Sequence, residues 1–207
     1  KKVKTLSSDP PAAASEGQVW YNSSGYDFKT SVSAEAWASG GDLVSGRRNP
    51  VTFGIQTAAV VAGGHTPGGD FATSETYDGT SFAEGNNLLV AMDTSASAGT
   101  STAGLVFGGN PGGLTETVSY NGTSYSEENN LTAARYALGG SGTQTAAIAA
   151  GGSPQTNTGS ALSEEWNGTS WTEGNNLGTG RYKPAQTGTQ TAALFVGGDT
   201  GPANVAN

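Results

Sequence analysis

The sequence contains no cysteine, a single histidine and few charged residues, and these shortages exclude several kinds of function. Without cysteine the chain can form neither disulfides nor thiolate metal sites, and it has no thiol nucleophile. Charged residues make up 13% of the 207 residues, about half of the usual share of roughly 25%. The formal net charge is −8, so lysines and arginines that would neutralise phosphates are scarce. We therefore expect no binding to nucleic acid.

Long apolar runs are also missing. No apolar stretch reaches the roughly 18 residues that a membrane-spanning helix needs, so we expect no membrane insertion. The sequence begins at Lys1 rather than at methionine, which fits a processed protein or a fragment of a longer one.

What the sequence has in abundance is glycine and an internal repeat. The 33 glycines predict many turns and few helices. Four segments of small and apolar residues open on Gly and close on Gly-Gly, with starts 45, 43 and 46 residues apart: 54–64, 99–109, 142–152 and 188–198. The first three are followed by a second shared segment and then by Asn-Asn-Leu. The second segments are residues 74–82, 117–125 and 163–171, and the Asn-Asn-Leu triplets begin at 86, 129 and 175.

Each repeat predicts four short strands. Apolar runs bounded by Gly pairs are typical of buried strands. The second segment predicts a hairpin, because Asn121-Gly122 and Asn167-Gly168 suit a two-residue type I′ turn whose central residues both take positive φ. Asp78-Gly79 fits the same turn; since Asp78 is no glycosylation acceptor, turn geometry explains this position better than a sequon does. Aromatic residues five apart are expected on facing strands: Tyr77 with Phe82, Tyr120 with Tyr125, and Trp166 with Trp171.

The period, the Gly-Gly pairs and the paired aromatics together resemble the kelch repeat, a four-stranded blade of a β-propeller. The resemblance covers residues 34–207 and implies an all-β, kelch-like propeller of about four blades. Full copies are expected near 54–98, 99–141 and 142–187, and partial copies at 34–53 and 188–207. The partial copies look complementary, so pairing of the termini would close the ring; the alternative is a chain cut within a longer array.

The kelch resemblance assigns structural roles to glycines, aromatics and arginines. An arginine often opens the innermost strand of a kelch blade, and in this sequence Met92 replaces it in one copy. A role in binding nearby carbonyls is therefore favoured over a functional ring of arginines. The structural residues are Gly63, Gly64, Gly108, Gly109, Gly151, Gly152, Gly197, Gly198, Trp166, Trp171, Arg47, Arg135 and Arg181.

Residues 1–33 lie outside the repeat and predict a tether followed by a short hairpin. The segment 7–14 is rich in Ser, Pro and Ala, residues 16–25 read as a strand ending in a turn, and residues 26–29 return from it. The lead-in resembles that of structural proteins from tailed bacteriophages, and the repeats resemble predicted tail-fibre-like proteins of marine phages. This implies a virion appendage, exposed on the particle surface in several copies and anchored to other virion proteins through residues 1–33. A bacterial surface or secreted lectin is the alternative.

Catalysis is the least favoured class of function. Kelch propellers include the copper enzyme galactose oxidase, whose site needs a Tyr–Cys cross-link and two histidines, whereas this chain has no cysteine and only His65. We expect His65 to be solvated and the chain to hold no cofactor, although a calcium site at Asp70 or Asp199 is an alternative. The pairs Glu127-Glu128 and Glu164-Glu165 are adjacent on strands, so their side chains point to opposite faces, and we expect them on a solvated rim.

The segments after the Gly-Gly pairs differ between copies and are the candidate binding loops. They span residues 65–73, 110–115 and 153–162, and their Thr, Asn, Gly and Asp content suits hydrogen bonding to a host glycan or receptor. The candidate residues are His65, Asp70, Asn110, Leu114, Gln155 and Asn157. The alternative is that these segments are plain connections between strands.

Overall fold

The computed structural model of the chain describes residues 4–7, 19–30, 40–155 and 158–201. Within these residues all regular secondary structure is β, as the sequence predicts, in several small sheets. The chain separates into two compact units, Lys1–Ser39 and Gly40–Asn207, so the division falls after residue 39 whereas the sequence placed it after residue 33. A helix long and apolar enough to cross a membrane is not found among the described residues.

The first unit contains one three-stranded sheet. Strands β2 (Val19–Asn22) and β3 (Asp27–Thr30) form the hairpin that the sequence predicts. Strand β1 (Lys4–Leu6) adds to β2 in parallel, which the sequence did not indicate. The side chain of Asn22 accepts the N–H groups of Ser24 and Gly25 at 2.9 and 3.0 Å, which closes the turn between β2 and β3.

The second unit contains three four-stranded antiparallel sheets, one two-stranded sheet and a small hairpin. The first sheet consists of β4 (Val51–Ile55), β5 (Ala58–Ala62), β8 (Ser74–Tyr77) and β9 (Phe82–Glu84). The small hairpin of β6 (His65–Thr66) and β7 (Gly69–Asp70) lies between β5 and β8 in the sequence. The second sheet consists of β10 (Ala96–Thr100), β11 (Ala103–Phe107), β12 (Thr117–Tyr120) and β13 (Tyr125–Glu127). The third consists of β14 (Gly139–Gly142), β15 (Ala147–Ala150), β16 (Ser163–Trp166) and β17 (Trp171–Glu173), and the fourth of β18 (Ala185–Gly188) and β19 (Ala193–Val196). Four strands per full repeat is therefore confirmed.

The first strands of the sheets lie side by side in chain order: β4 beside β10, β10 beside β14, and β14 beside β18. No comparable contact joins the fourth sheet to the first among the described residues, and the second strand of the fourth sheet exposes Leu194 and Val196. A closed ring is thus not found in this part of the chain. Residues 34–39, from the segment expected to complete the last sheet, lie outside the described residues.

Among the described residues, two clusters of buried apolar side chains form where neighbouring sheets meet. In the cluster between the first and second sheets, the rings of Phe53 and Tyr120 lie 5.9 Å apart, centroid to centroid. In the cluster between the second and third, the rings of Phe107 and Trp171 lie 4.8 Å apart. The predicted cross-strand aromatic pairs are confirmed: Tyr77 faces Phe82, Tyr120 faces Tyr125, and Trp166 faces Trp171, with ring centroids 4.6, 4.7 and 5.4 Å apart.

A glutamine in the repeated Gly-Thr-Gln-Thr segment ties the third and the fourth sheet to the sheet before it; the second sheet has Ser101 at this position. Nε2 of Gln144, in the turn between β14 and β15, donates to the carbonyls of Gly104 and Tyr120 in the second sheet at 3.1 and 2.8 Å. Gln190 binds the third sheet in the same way, at 3.0 and 2.7 Å. Because these bonds satisfy carbonyls at the contact between two sheets, they fix how the sheets pack.

The predicted two-residue type I′ turn is wrong. Tyr120 pairs directly with Tyr125, so the loop has four residues, and Asn121 does not have a positive φ whereas Gly122 does, at 92°. The Asn121 side chain instead accepts the N–H groups of Thr123 and Ser124 at 3.0 and 2.9 Å. This position is Asn or Asp because both have a side-chain oxygen that accepts these N–H groups, in place of the backbone carbonyl of an ordinary turn.

Two of the three arginines in the kelch-like slot are held in buried ion pairs. Nη2 of Arg47 donates to Oε1 of Glu75 at 2.5 Å, and Nη2 of Arg135 donates to Oε1 of Glu164 at 2.6 Å. Arg135 also donates to two backbone carbonyls at 2.8 and 2.9 Å, and Arg181 donates to that of Gly197 at 2.8 Å. Burial lowers the pKa of Arg135, and the charge of Glu164 opposes that shift.

The expectation that Glu164 lies on a solvated rim is therefore wrong. Strand alternation turns Glu164 inward, where 1% of it is exposed, and turns Glu165 outward. The second carboxylate oxygen of Glu164 accepts a hydrogen bond from the N–H of Thr132 at 2.7 Å. Thr132 belongs to the segment that links the second and third sheets. In the second sheet the buried residues Met92 and Val118 occupy the slots of the arginine and the glutamate, so there the ion pair is replaced by apolar packing.

Candidate functional site

The Gly-Gly pairs turn the chain out of each second strand. Both glycines of every pair have positive φ, from 62° to 119°. A Cβ on Gly108 or Gly151 would lie 2.8 or 2.6 Å from the carbonyl oxygen of Arg135 or Arg181, at the start of the next sheet. Only glycine fits this approach, so each pair starts its loop against the neighbouring sheet.

The loops after the Gly-Gly pairs lie next to one another along one edge of the sheets. Residues 49, 94, 137 and 183 all have positive φ and form a chain of backbone hydrogen bonds across the sheets, each N–H bonding the carbonyl of the residue one repeat earlier at 2.7–3.1 Å. Beside this chain of hydrogen bonds, the residue after each Gly-Gly pair forms a β-bridge to the linker that precedes the first strand of the same sheet. The bridges join His65 with Arg48, Asn110 with Asp93, Ser153 with Tyr136, and Asp199 with Tyr182. We call the loop residues 65–72, 110–115, 153–155, 158–162 and 199–201, with these linker residues, the loop face.

A shallow pocket opens on the loop face between the second and third sheets. It has a volume of about 280 Å³ and is lined by Asn110, Gly112, Tyr136 and Gln155. The Asn110 amide is oriented by donating to Thr94 Oγ1 at 3.2 Å, and Gln155 is exposed at a positive φ of 71°. The two amides beside the partly buried Tyr136 can form hydrogen bonds with hydroxyl groups, which are the groups that a sugar presents.

The loop face also includes His65, which is partly buried rather than fully solvated. Its Nδ1 lies 2.6 Å from Oδ1 of Asp70, across the β6–β7 hairpin, and the two side chains are 27% and 18% exposed. Asp199, the other residue considered for calcium, accepts a hydrogen bond from the Tyr182 hydroxyl at 3.0 Å. That hydrogen bond raises the pKa of Tyr182, and burial adds to the effect.

The remaining candidates fall in different places. Leu114 packs partly buried against the core cluster between the first and second sheets, because an apolar side chain gains more there than in a polar loop. Asn157 lies outside the described residues. The sequence reasoning missed Tyr136 and Asp93, because both lie in the linkers after the Asn-Asn-Leu triplets and not in the variable loops. Their positions directly after Arg135 and Met92, in the repeated pattern, could have indicated them.

Comparison with known proteins supports the fold and leaves the function open. No protein-family model matches the chain, and no curated protein matches its sequence. Among solved structures, that of YjhT is similar with a TM-score of 0.68 and 13% sequence identity, covering 90% of this chain and 70% of YjhT. At that identity the likeness concerns the fold alone. The chain thus has an all-β fold of small sheets like that of YjhT.

Proposed function

We propose that this chain is a non-enzymatic structural domain of a bacteriophage virion, a kelch-like propeller in a tail fibre or appendage that contacts a host-surface glycan. The observation that carries the binding part is the pocket on the loop face, where Asn110 and Gln155 were predicted as binding residues and Tyr136 adds an aromatic surface. The virion part rests on the resemblance of the repeats and of residues 1–33 to phage structural proteins. Residues 1–33 would attach the domain to other virion proteins.

The shape of the pocket favours weak binding at each site. A shallow pocket of about 280 Å³ accommodates one sugar residue rather than a long chain. Several copies on one particle would multiply such contacts, because linked sites bind with a high effective concentration. The net charge of −8 adds no attraction to an anionic surface, so the proposed ligand is a glycan recognised through its hydroxyl groups.

The binding proposal is tested by removing the two amides. Asn110→Ala combined with Gln155→Gly deletes both side chains, and glycine relieves the positive φ at residue 155. Two lost hydrogen bonds of about 0.5–1.5 kcal/mol each should weaken glycan binding and host-cell adsorption roughly tenfold. The control is Thr123→Ala, which changes an exposed residue in the β12–β13 turn. This turn follows the end of β12, whereas the loop that contains Asn110 precedes its start, so the two lie at opposite ends of the strand. Equal adsorption by all three proteins would show that the loop face does not bind the host.

The virion part has its own test. Capsid and tail genes around the coding sequence, together with the protein in mass spectra of purified particles, would support a virion appendage. A bacterial neighbourhood of secretion or surface genes would instead favour the lectin alternative, with the same pocket as its site.

A further inference from the structure

One histidine and two aspartates meet on the loop face where the first and second sheets adjoin. His65 and Asp70 face each other across the β6–β7 hairpin, whereas Asp93 comes from the linker before β10. A ligand atom from each of the three side chains lies within 4.8 Å of the other two. Backbone hydrogen bonds fix the main chain at His65 and at Asp93. His65 N donates to Arg48 O at 2.8 Å, and Asn110 N donates to Asp93 O at 2.9 Å.

The charge of Asp93 is the second observation that points to a cation. Asp93 is 7% exposed, and its carboxylate accepts hydrogen bonds from two neutral groups, Asn49 Nδ2 at 3.4 Å and Thr94 Oγ1 at 3.1 Å. Within the described ranges, no Lys, Arg or His nitrogen lies within 4 Å of this carboxylate. A buried carboxylate without a counter-charge is costly, and a bound cation would remove that cost.

We propose that His65, Asp70 and Asp93 bind a divalent transition-metal ion, with Zn²⁺ preferred. The imidazole decides the class of metal, because calcium and magnesium take oxygen ligands whereas zinc takes nitrogen and carboxylate oxygen together. Three protein ligands leave a fourth position for water or for an oxygen atom of a ligand. This site is independent of the glycan pocket, so either can fail without the other.

The geometry needs a small adjustment to admit the ion. Ligand atoms about 2.0–2.1 Å from a tetrahedral zinc lie about 3.3 Å apart. The 2.6 Å separation between His65 and Asp70 must therefore widen by less than about 1 Å. The β6–β7 hairpin that carries both residues has only two residues in each strand and partly exposed side chains, so it can move while Asp93 stays in its linker.

The test titrates Zn²⁺ into the metal-free full chain by calorimetry and follows thermal unfolding at each concentration, with Ca²⁺ as the comparison ion. We expect one Zn²⁺ per chain and an unfolding midpoint that rises with Zn²⁺ and not with Ca²⁺. His65→Gln and Asp93→Asn should each weaken Zn²⁺ binding at least about tenfold, since even changes beyond the direct ligands cost that much. The matched control is Asp78→Asn, which removes an exposed carboxylate and leaves the residue that occupies the same turn position at Asn121 and Asn167.

Two results would overturn the site: no saturable 1:1 uptake of Zn²⁺ by the unaltered chain, or uptake by His65→Gln equal to that of the Asp78→Asn control. The first would mean that the three side chains meet without holding a metal. Tighter binding of Ca²⁺ than of Zn²⁺ would refute the class of metal. If circular dichroism shows that Asp93→Asn does not fold, His65→Gln decides the outcome alone, because that side chain is partly exposed.

Discussion

The buried Arg135–Glu164 pair can be exchanged for the apolar pair that the second sheet already uses. The perturbation is Arg135→Met and Glu164→Val, singly and together, which copies Met92 and Val118 into the third sheet. Each single change leaves one charge buried without its partner, and both side chains are 1% exposed. Such a charge costs about 3–5 kcal/mol of unfolding free energy.

The double variant should lose far less than the sum of the two single losses. It leaves no unpaired charge, and it gives up two arginine–carbonyl hydrogen bonds and the bond from Thr132 N to Glu164. At about 0.5–1.5 kcal/mol each, these bonds together amount to about 2–4 kcal/mol, which the buried Met and Val side chains offset in part. Independent changes would add to about 6–10 kcal/mol. The expected coupling is therefore at least about 2 kcal/mol.

Urea denaturation, monitored by tryptophan fluorescence, gives the unfolding free energy of the unaltered chain, the two single variants and the double variant, which together form a double-mutant cycle. The same exchange at Arg47 and Glu75 repeats the experiment in the first sheet, where the pair has the same geometry. If the single losses add to the double loss within about 0.5 kcal/mol, the two residues do not act as a pair and the reasoning is refuted.

Three further predictions concern the hairpin residues. Trp171→Ala should cost about 3–5 kcal/mol in chemical denaturation, because the indole is 5% exposed and packs on Phe107 at 4.8 Å; a loss below about 1 kcal/mol would contradict its place in the core. Gly168→Val should cost about 1–3 kcal/mol, since φ at this position is 91°, and unchanged stability would refute the strained turn. Burial raises the pKa of Tyr125 from 10.0 to about 12. The contribution of the neutral Tyr125 side chain to the unfolding free energy is therefore complete below pH 10 and is lost as the pH rises to 12. Tyr125→Phe should therefore lose about 2–3 kcal/mol less stability than the unaltered chain as the pH rises from 10 to 12. Identical pH profiles of the unfolding free energy for the two proteins would contradict the raised pKa of Tyr125.

The sequence by itself determined the local structure of the repeat. The period of the Gly-Gly segments located the sheets, and the five-residue spacing of the aromatics gave the hairpin register of Tyr120 with Tyr125 and of Trp166 with Trp171. These features depend on contacts between residues close in the chain, for which the side-chain alternation of strands and the preferences of Gly and Asn are sufficient guides. The turn type was misjudged because Asn suits both a positive φ and a side-chain cap, and composition does not distinguish them.

Only the tertiary structure decided which polar residues are buried and which of them meet. Glu164 reads as one of two adjacent surface acids until Arg135, 29 residues earlier, is placed beside it. His65, in the β6–β7 hairpin, and Asp93, in the linker before β10, approach each other only because backbone hydrogen bonds between linkers bring the loop face together. The pocket between Asn110 and Gln155 likewise combines loops of two sheets. Such contacts join repeats whose sequences vary independently, and their energy depends on burial and on the distance between charges, which a linear sequence does not specify.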